Sequence, residues 1–181
     1  MDEKKQDKID RLYMRVAFVW SENSYAVRRK VGALIVKDNS IISDGYNGTP
    51  SGFPNVCEYS IDEKFQPSNK IPEHHQRSIL QNNYEQGHGI ATYPYVLHAE
   101  SNAIAKLARS NNSSLGATLY VTDEPCLECA KIIIQAGIRR VIYSRPYRLH
   151  QGVRLLKRAN IEVKQISVNE NGKEELSKEK R

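Results

Sequence analysis

The sequence predicts a layered α/β domain in which helices cover a largely central sheet. Three observations predict it. Short apolar runs with strand character alternate with helically spaced apolar residues along most of the chain. The length, 181 residues, is enough for one domain with a real core. The composition, 39% hydrophobic and 27% charged, is ordinary for a soluble globular protein.

Taken in order, Ile9, Leu12, Tyr13, Val16, Ala17, Val19 and Trp20 follow helical spacing, so residues 8–21 form an amphipathic helix. Residues 31–37 and 41–46 are apolar runs separated by Asp38-Asn39-Ser40, which gives strand, turn, strand. GYNGTPSG at 45–52 is a loop by composition. Residues 53–95 are polar and lack sustained periodicity. They are expected to be an insertion in the domain, with one short helix near 73–85. Residues 98–109 form a helix that can turn Ala99, Ala103, Ile104 and Leu107 to a sheet. A strand follows at 117–122. Pro125 and Gly137 bracket a helix at 126–136. A strand at 141–144, a helix at 152–159 and a strand at 161–166 complete the domain, which is expected to take in residues 1–181. The tail from about Ser167 is polar and expected to fray.

No stretch is long and apolar enough to span a bilayer, and MDEKKQDKID at the start has no apolar signal region. A cytoplasmic protein without a membrane partner is therefore expected. Three cysteines make a disulfide framework a poor explanation. Two of them, Cys126 and Cys129, form Cys-x-x-Cys, which in such a chain is a metal site or a redox pair. The net charge is +6, and its excess lies in the middle of the chain. From Cys129 to Ile161 there is no acid, against Lys131, Arg139, Arg140, Arg145, Arg148, Arg154, Lys157 and Arg158. A second cluster is Arg28-Arg29-Lys30. Such a field attracts a nucleotide phosphate or a nucleic acid, unless it is a solvated helix face and strand ends.

His98-Ala99-Glu100 and Pro125-Cys126-Leu127-Glu128-Cys129 carry the chemistry. Zinc prefers imidazole nitrogen and thiolate sulfur, and a catalytic zinc takes three protein ligands with a fourth position open to water. His98, Cys126 and Cys129 supply three. Cysteines three apart at a helix start share one face, and the unpaired N–H groups there favour thiolate. Glu100 sits beside the metal without binding it, placed to move protons. A redox pair usually has Trp or Gly nearby, and here Glu124-Pro125 precedes the pair instead. The combined pattern H-x-E…P-C-x-x-C is the signature of zinc-dependent nucleobase deaminases.

The resemblance extends further. Val31-Gly32-Ala33, GYNGTPSG at 45–52, YPYVLHAESNAI at 93–104 and YVTDEPCLECAKIIIQAGI at 120–138 resemble deoxycytidylate deaminases, over roughly residues 9–166. GYNGTPSGFPNVCE at 45–58 and the long insertion look most like the bacteriophage branch. The resemblance implies a three-layer α/β/α fold with a central mixed five-stranded sheet, and the zinc-dependent conversion of dCMP to dUMP that feeds dTMP synthesis. It implies substrate contacts at Asn47, on the sugar hydroxyl, and at Ala99. Tyr147 stands where the family has an aromatic residue flanking the substrate, and equally fits a packing tyrosine. Asn47 alone equally fits a residue chosen for a left-handed turn. Arg28 is the first candidate for the phosphate, with Arg29 and Lys30 competing.

Regulated members assemble as hexamers, are activated by dCTP and are inhibited by dTTP. By resemblance the effector, with magnesium, lies near Gly45, Asn47 and Gly48. The phage branch also resembles proteins with a second, structural zinc in the insertion. Cys57, Glu73, His74, His75 and His88 are candidate ligands, against a free Cys57 and solvated histidines. The resemblance implies that Glu100 moves a proton from a metal-activated water to ring N3, and then one to the departing amino group. Two rivals remain: a nucleic-acid-editing or dCTP-accepting deaminase, and a non-catalytic zinc-stabilised binding module.

Overall fold

A computed structural model describes residues 2–61, 73–85, 87, 89–147 and 149–168. Its first helix, α1 (Glu3–Ser21), begins five residues before the apolar pattern does. Asp2 caps it by accepting from the Lys4 N–H, and an Asp7–Arg11 pair one turn apart extends it. Strands β1 (Gly32–Lys37) and β2 (Ser40–Tyr46) form an antiparallel hairpin. Asp38 and Asn39 both have positive φ (50° and 61°), as a two-residue turn matching strand twist requires.

The described part of the insertion is more ordered than its composition suggests. The expected helix is α2 (Glu73–Glu85), but β3 (Glu58–Ser60) and β4 (Ile90–Thr92) also pair antiparallel. Three-residue strands are too short to show an alternation. Val56, Leu80 and Ile90 pack beneath them as a separate apolar cluster.

The remaining elements are α3 (Ala99–Leu107), β5 (Thr118–Asp123), α4 (Leu127–Gln135), β6 (Arg140–Arg145), α5 (Gln151–Arg158) and β7 (Glu162–Gln165). The main sheet is mixed and five-stranded, in the order β2-β1-β5-β6-β7. β1 is antiparallel to both its neighbours, while β5, β6 and β7 run parallel.

Period-two alternation divides the core. Ala33, Ile35, Leu119, Val121, Val141 and Tyr143 pack with α3, α4 and α5. Leu34, Val36, Tyr120 and Ile142 pack with Met14, Ala17 and Phe18 of α1. The three layers are therefore α1, the sheet, and α3–α4–α5, as expected.

One buried polar network ties the α1 side together. Asp10, wholly buried, accepts two bonds from Arg140 at 2.7 Å and one each from Gln6 and the Tyr120 hydroxyl at 2.8 Å. Arg140 also pairs with Glu162 at 2.7 Å. Arg145 pairs with Asp123 and Lys131 with Glu128. Part of the basic segment is thus neutralised by the fold itself. The tail from residue 169 and Arg148 lie outside the described residues.

Candidate active site

The site stands where the first turns of α3 and α4 meet. His98 and Cys126 are the N-caps of these helices, both in extended conformation, and Cys129 lies in the first turn of α4. The Cys129 N–H donates to Cys126 Sγ at 3.5 Å. His98 Nδ1 lies 3.5 Å from Cys126 Sγ and 3.4 Å from Cys129 Sγ, and all three ligand atoms fall within 4.8 Å of one another. A tetrahedral zinc with bonds of roughly 2.1 Å to nitrogen and 2.3 Å to sulfur has ligand–ligand edges of roughly 3.6 Å. The donor set and its spacing fit zinc with one position open, and His98 offers Nδ1.

Electrostatics agree. The hydrogen bond from the Cys129 thiol, then that from His98, pulls Cys126 down to about 3, while the same bond and burial push Cys129 up. A metal bound here would hold both sulfurs as thiolates. Glu100 is 4% exposed, and burial pushes its carboxyl up to about 7, where it can both take and give a proton near neutrality. His98 is raised by its hydrogen bond to Cys126.

A cavity of about 380 Å³ opens beside this centre. Arg28, Asn47, His98, Ala99, Glu100, Cys126 and Tyr147 line it, whereas Cys129, Lys30 and Cys57 do not. Arg29 lines it too, and Tyr84 and Thr92 reach it from the insertion. Asn47 bridges backbone, accepting from the Val31 N–H at 2.8 Å and donating to the Arg29 carbonyl at 2.9 Å. It does not adopt a left-handed turn. Tyr147 is 45% exposed and lines the cavity.

Gly45 and Gly48 do not line this cavity. A Cβ at Gly45 would stand 2.2 Å from the Ala99 carbonyl oxygen and 2.6 Å from the Ala103 nitrogen, so the glycine lets β2 lie against α3. Gly48 exchanges backbone bonds with Leu97, which fixes the chain entering His98.

Three carboxylates hold the cavity walls, Glu58 and Glu124 buried and Asp123 partly buried. Glu58 of β3 accepts from the backbone N–H groups of Val27 and Arg28. Asp123 pairs with Arg29 at 2.5 Å and Arg145 at 2.6 Å. Glu124 accepts from the Tyr147 N–H and the His150 ring. Burial raises Glu58 and Asp123 despite these partners. The only sequence signal was Asp123-Glu124 immediately before Pro-Cys, since burial of an acid has no local pattern.

Among the described residues, His98–Cys126–Cys129 is the only group placed to hold a metal. Cys57 is buried with Ala26 and Val96, and burial pushes its thiol up to about 11. Glu73 accepts from the Asn55 N–H, and His75 is exposed. The side chain of His74 and the whole of His88 lie outside the described residues.

The profile of the cytidine and deoxycytidylate deaminase zinc-binding region matches residues 7–145. The chain is 35% identical over 165 residues to deoxycytidylate deaminase of Enterobacteria phage T4, covering 83% of this chain and 86% of that one. It is 37% identical over 132 residues to the Homo sapiens deoxycytidylate deaminase, covering 72% of this chain and 61% of that one. Its fold superposes on the crystal structure of dCMP deaminase from the cyanophage S-TIM5 in complex with dCMP and dUMP. That match has a TM-score of 0.68 and 34% identity, covering 92% of this chain and 99% of that chain.

Proposed function

The chain belongs to the cytidine and deoxycytidylate deaminase family, and from that premise we propose that it hydrolyses dCMP to dUMP and ammonia, feeding dTMP synthesis. It is a hydrolytic deaminase with a catalytic zinc site. The observation that carries the reading is the meeting of His98, Cys126, Cys129 and Glu100 at the wall of a cavity whose rim holds Arg28.

When bound, zinc would make a water acidic enough to act as a nucleophile near neutral pH. Glu100 takes a proton from the attacking water and delivers it to ring N3. Carbon 4 gains the oxygen, Glu100 takes the remaining proton from that oxygen and passes it to the amino group, and ammonia leaves as the carbonyl forms. Ala99 and Asn47 line the path of the base and sugar, and Tyr147 flanks the ring. Arg28 receives the phosphate. Its guanidinium makes no ion pair among the described residues, whereas Arg29 is engaged by Asp123.

The same reading includes activation by dCTP and inhibition by dTTP, with magnesium, at the loop bearing Gly45, Asn47 and Gly48, in a cytosolic hexamer. Its support is the GYNG resemblance, together with exposed Leu12 and Val19 on α1 and Ile132 on α4, which suit subunit contacts. No helix among the described residues is long and apolar enough to cross a membrane. A structural zinc using Cys57 belongs to this reading only through the insertion's resemblance.

Ammonia release from dCMP, dCTP, deoxycytidine and a short single-stranded oligonucleotide tests the proposal. The expected order puts dCMP first, with deoxycytidine weaker by at least about tenfold, since a charged hydrogen bond contributes roughly 1.5–3 kcal/mol. Preference for the oligonucleotide would favour nucleic-acid editing. Equal turnover of deoxycytidine and dCMP would remove the phosphate role of Arg28.

A further inference from the structure

Between β6 and α5 the chain must leave the sheet, pass the cavity and start a helix within residues 146–150. Its path is fixed on the segment that carries Cys126. Glu124, whose side chain is wholly buried, accepts from the Tyr147 backbone N–H at 3.0 Å and from His150 Nδ1 at 2.8 Å. The Glu124 N–H donates to the Arg145 carbonyl at 2.8 Å. The first turn of α5 rests on the same segment: a Cβ at Gly152 would stand 2.0 Å from the Pro125 carbonyl oxygen.

His150, the N-cap of α5, has φ 45°. Left-handed backbone is unfavourable for a residue with a Cβ, so its bond to Glu124 must help to hold it there. A carboxylate can only accept here, which requires the Nδ1–H form of the ring. Between these two anchored points stands Tyr147. No hydrogen bond among the described residues holds its phenol. Its position over the cavity is therefore set by the backbone, and the backbone by Glu124.

We propose that Glu124 and His150 form a latch that positions Tyr147 against the substrate of the neighbouring metal centre, an inference that rests on the deaminase reading. Neither latch residue is catalytic in itself. Glu124 and His150 act through Tyr147, and the latch couples the α5 side of the cavity to the turn that carries Cys126.

The test uses zinc-loaded full-length His150→Ala, Tyr147→Ala and the double variant, with His150→Asn as the conservative replacement. Asparagine tolerates left-handed backbone and can donate to Glu124. Amide exchange across residues 145–152 is expected to quicken in His150→Ala while zinc content stays at the wild-type value. KM for dCMP should rise about tenfold with kcat nearly unchanged, as expected when an orienting group is displaced. His150→Asn should restore both measures. In the Tyr147→Ala background His150→Ala should add nothing.

Unchanged exchange in His150→Ala overturns the latch. Faster exchange without a rise in KM, or penalties that multiply in the double variant, overturns the positioning of Tyr147. If the wild-type protein leaves dCMP untouched, the substrate reading fails, and exchange still decides the latch.

Discussion

Glu100 and His98 are two residues apart, yet one is buried and the other turned to the two cysteines. The N-cap explains the difference. His98 is extended, and the helix begins after it, so Glu100 enters the first turn of α3. Its carboxyl, raised to about 7 by burial, has no role as a ligand in this geometry. Glu100→Gln is therefore expected to keep zinc while kcat falls by roughly 10²–10⁴, read by metal analysis beside steady-state rates. The two arginines separate in the same way. Arg28→Ala should raise KM for dCMP by roughly tenfold or more and leave deoxycytidine turnover unchanged, because it removes a charged contact to phosphate only. Arg29→Ala should instead disturb both substrates, since it releases Asp123 in the wall. If Arg29→Ala alone spares deoxycytidine, the assignment reverses. His98, Cys126 and Cys129 were legible in the sequence because zinc demands fixed residue types at fixed spacing. Glu58, Asp123 and Glu124 were not, because nothing local distinguishes a buried acid from a solvated one.

Helices α3 and α4 present their N-termini to one point, and β1, β2 and β5 set that convergence. Their existence followed from periodicity and from Pro125 and Gly137, and their ends moved by one or two residues. The hairpin at Asp38-Asn39 was equally legible. The pair β3–β4 was not, although it places Glu58 behind Arg28 and so builds part of the cavity. Gly45 shows how a loop motif can conceal a packing requirement. Gly45→Ala forces a methyl into the α3 backbone and should cost at least about 3 kcal/mol, since backbone cannot give way as a side chain does. Displacement of α3 carries His98 with it, so zinc affinity should fall together with thermal stability. A folded Gly45→Ala protein with normal zinc content would assign the glycine to ligand contact alone.

Among the described residues, one charged network spans the sheet on its α1 side. Arg140 and Asp10 tie α1 to β6, and with Glu162 and Tyr120 they link four elements across one face of the sheet. Burial works to raise Asp10, but the bonds from Arg140, Gln6 and Tyr120 outweigh it and hold the carboxyl below its ordinary value. A carboxylate held low stabilises the fold above its unfolded pKa of about 3.9, and that contribution is lost as pH falls through the folded value. The contribution of this network to thermal stability should therefore be level down to about pH 5 and fall away below pH 4. Asp10→Asn should cost roughly 3–5 kcal/mol at pH 7 by leaving Arg140 without its buried partner, with a shallower acid limb. An unchanged melting temperature would remove the network from the stability account. The layered α/β plan was readable because alternation and helical spacing report burial directly, whereas the pairing of distant charges is a tertiary fact. The central claim, a metal-dependent deaminase for a deoxycytidine nucleotide, meets its most direct test in one titration. The purified protein is stripped of metal, zinc is returned in steps, and dUMP and ammonia from dCMP are measured together. The account predicts no turnover without metal, equal amounts of the two products, and activity rising in proportion to zinc until His98, Cys126 and Cys129 hold one ion per chain. Undiminished turnover in the stripped protein, or saturation with zinc and no dUMP, would contradict it.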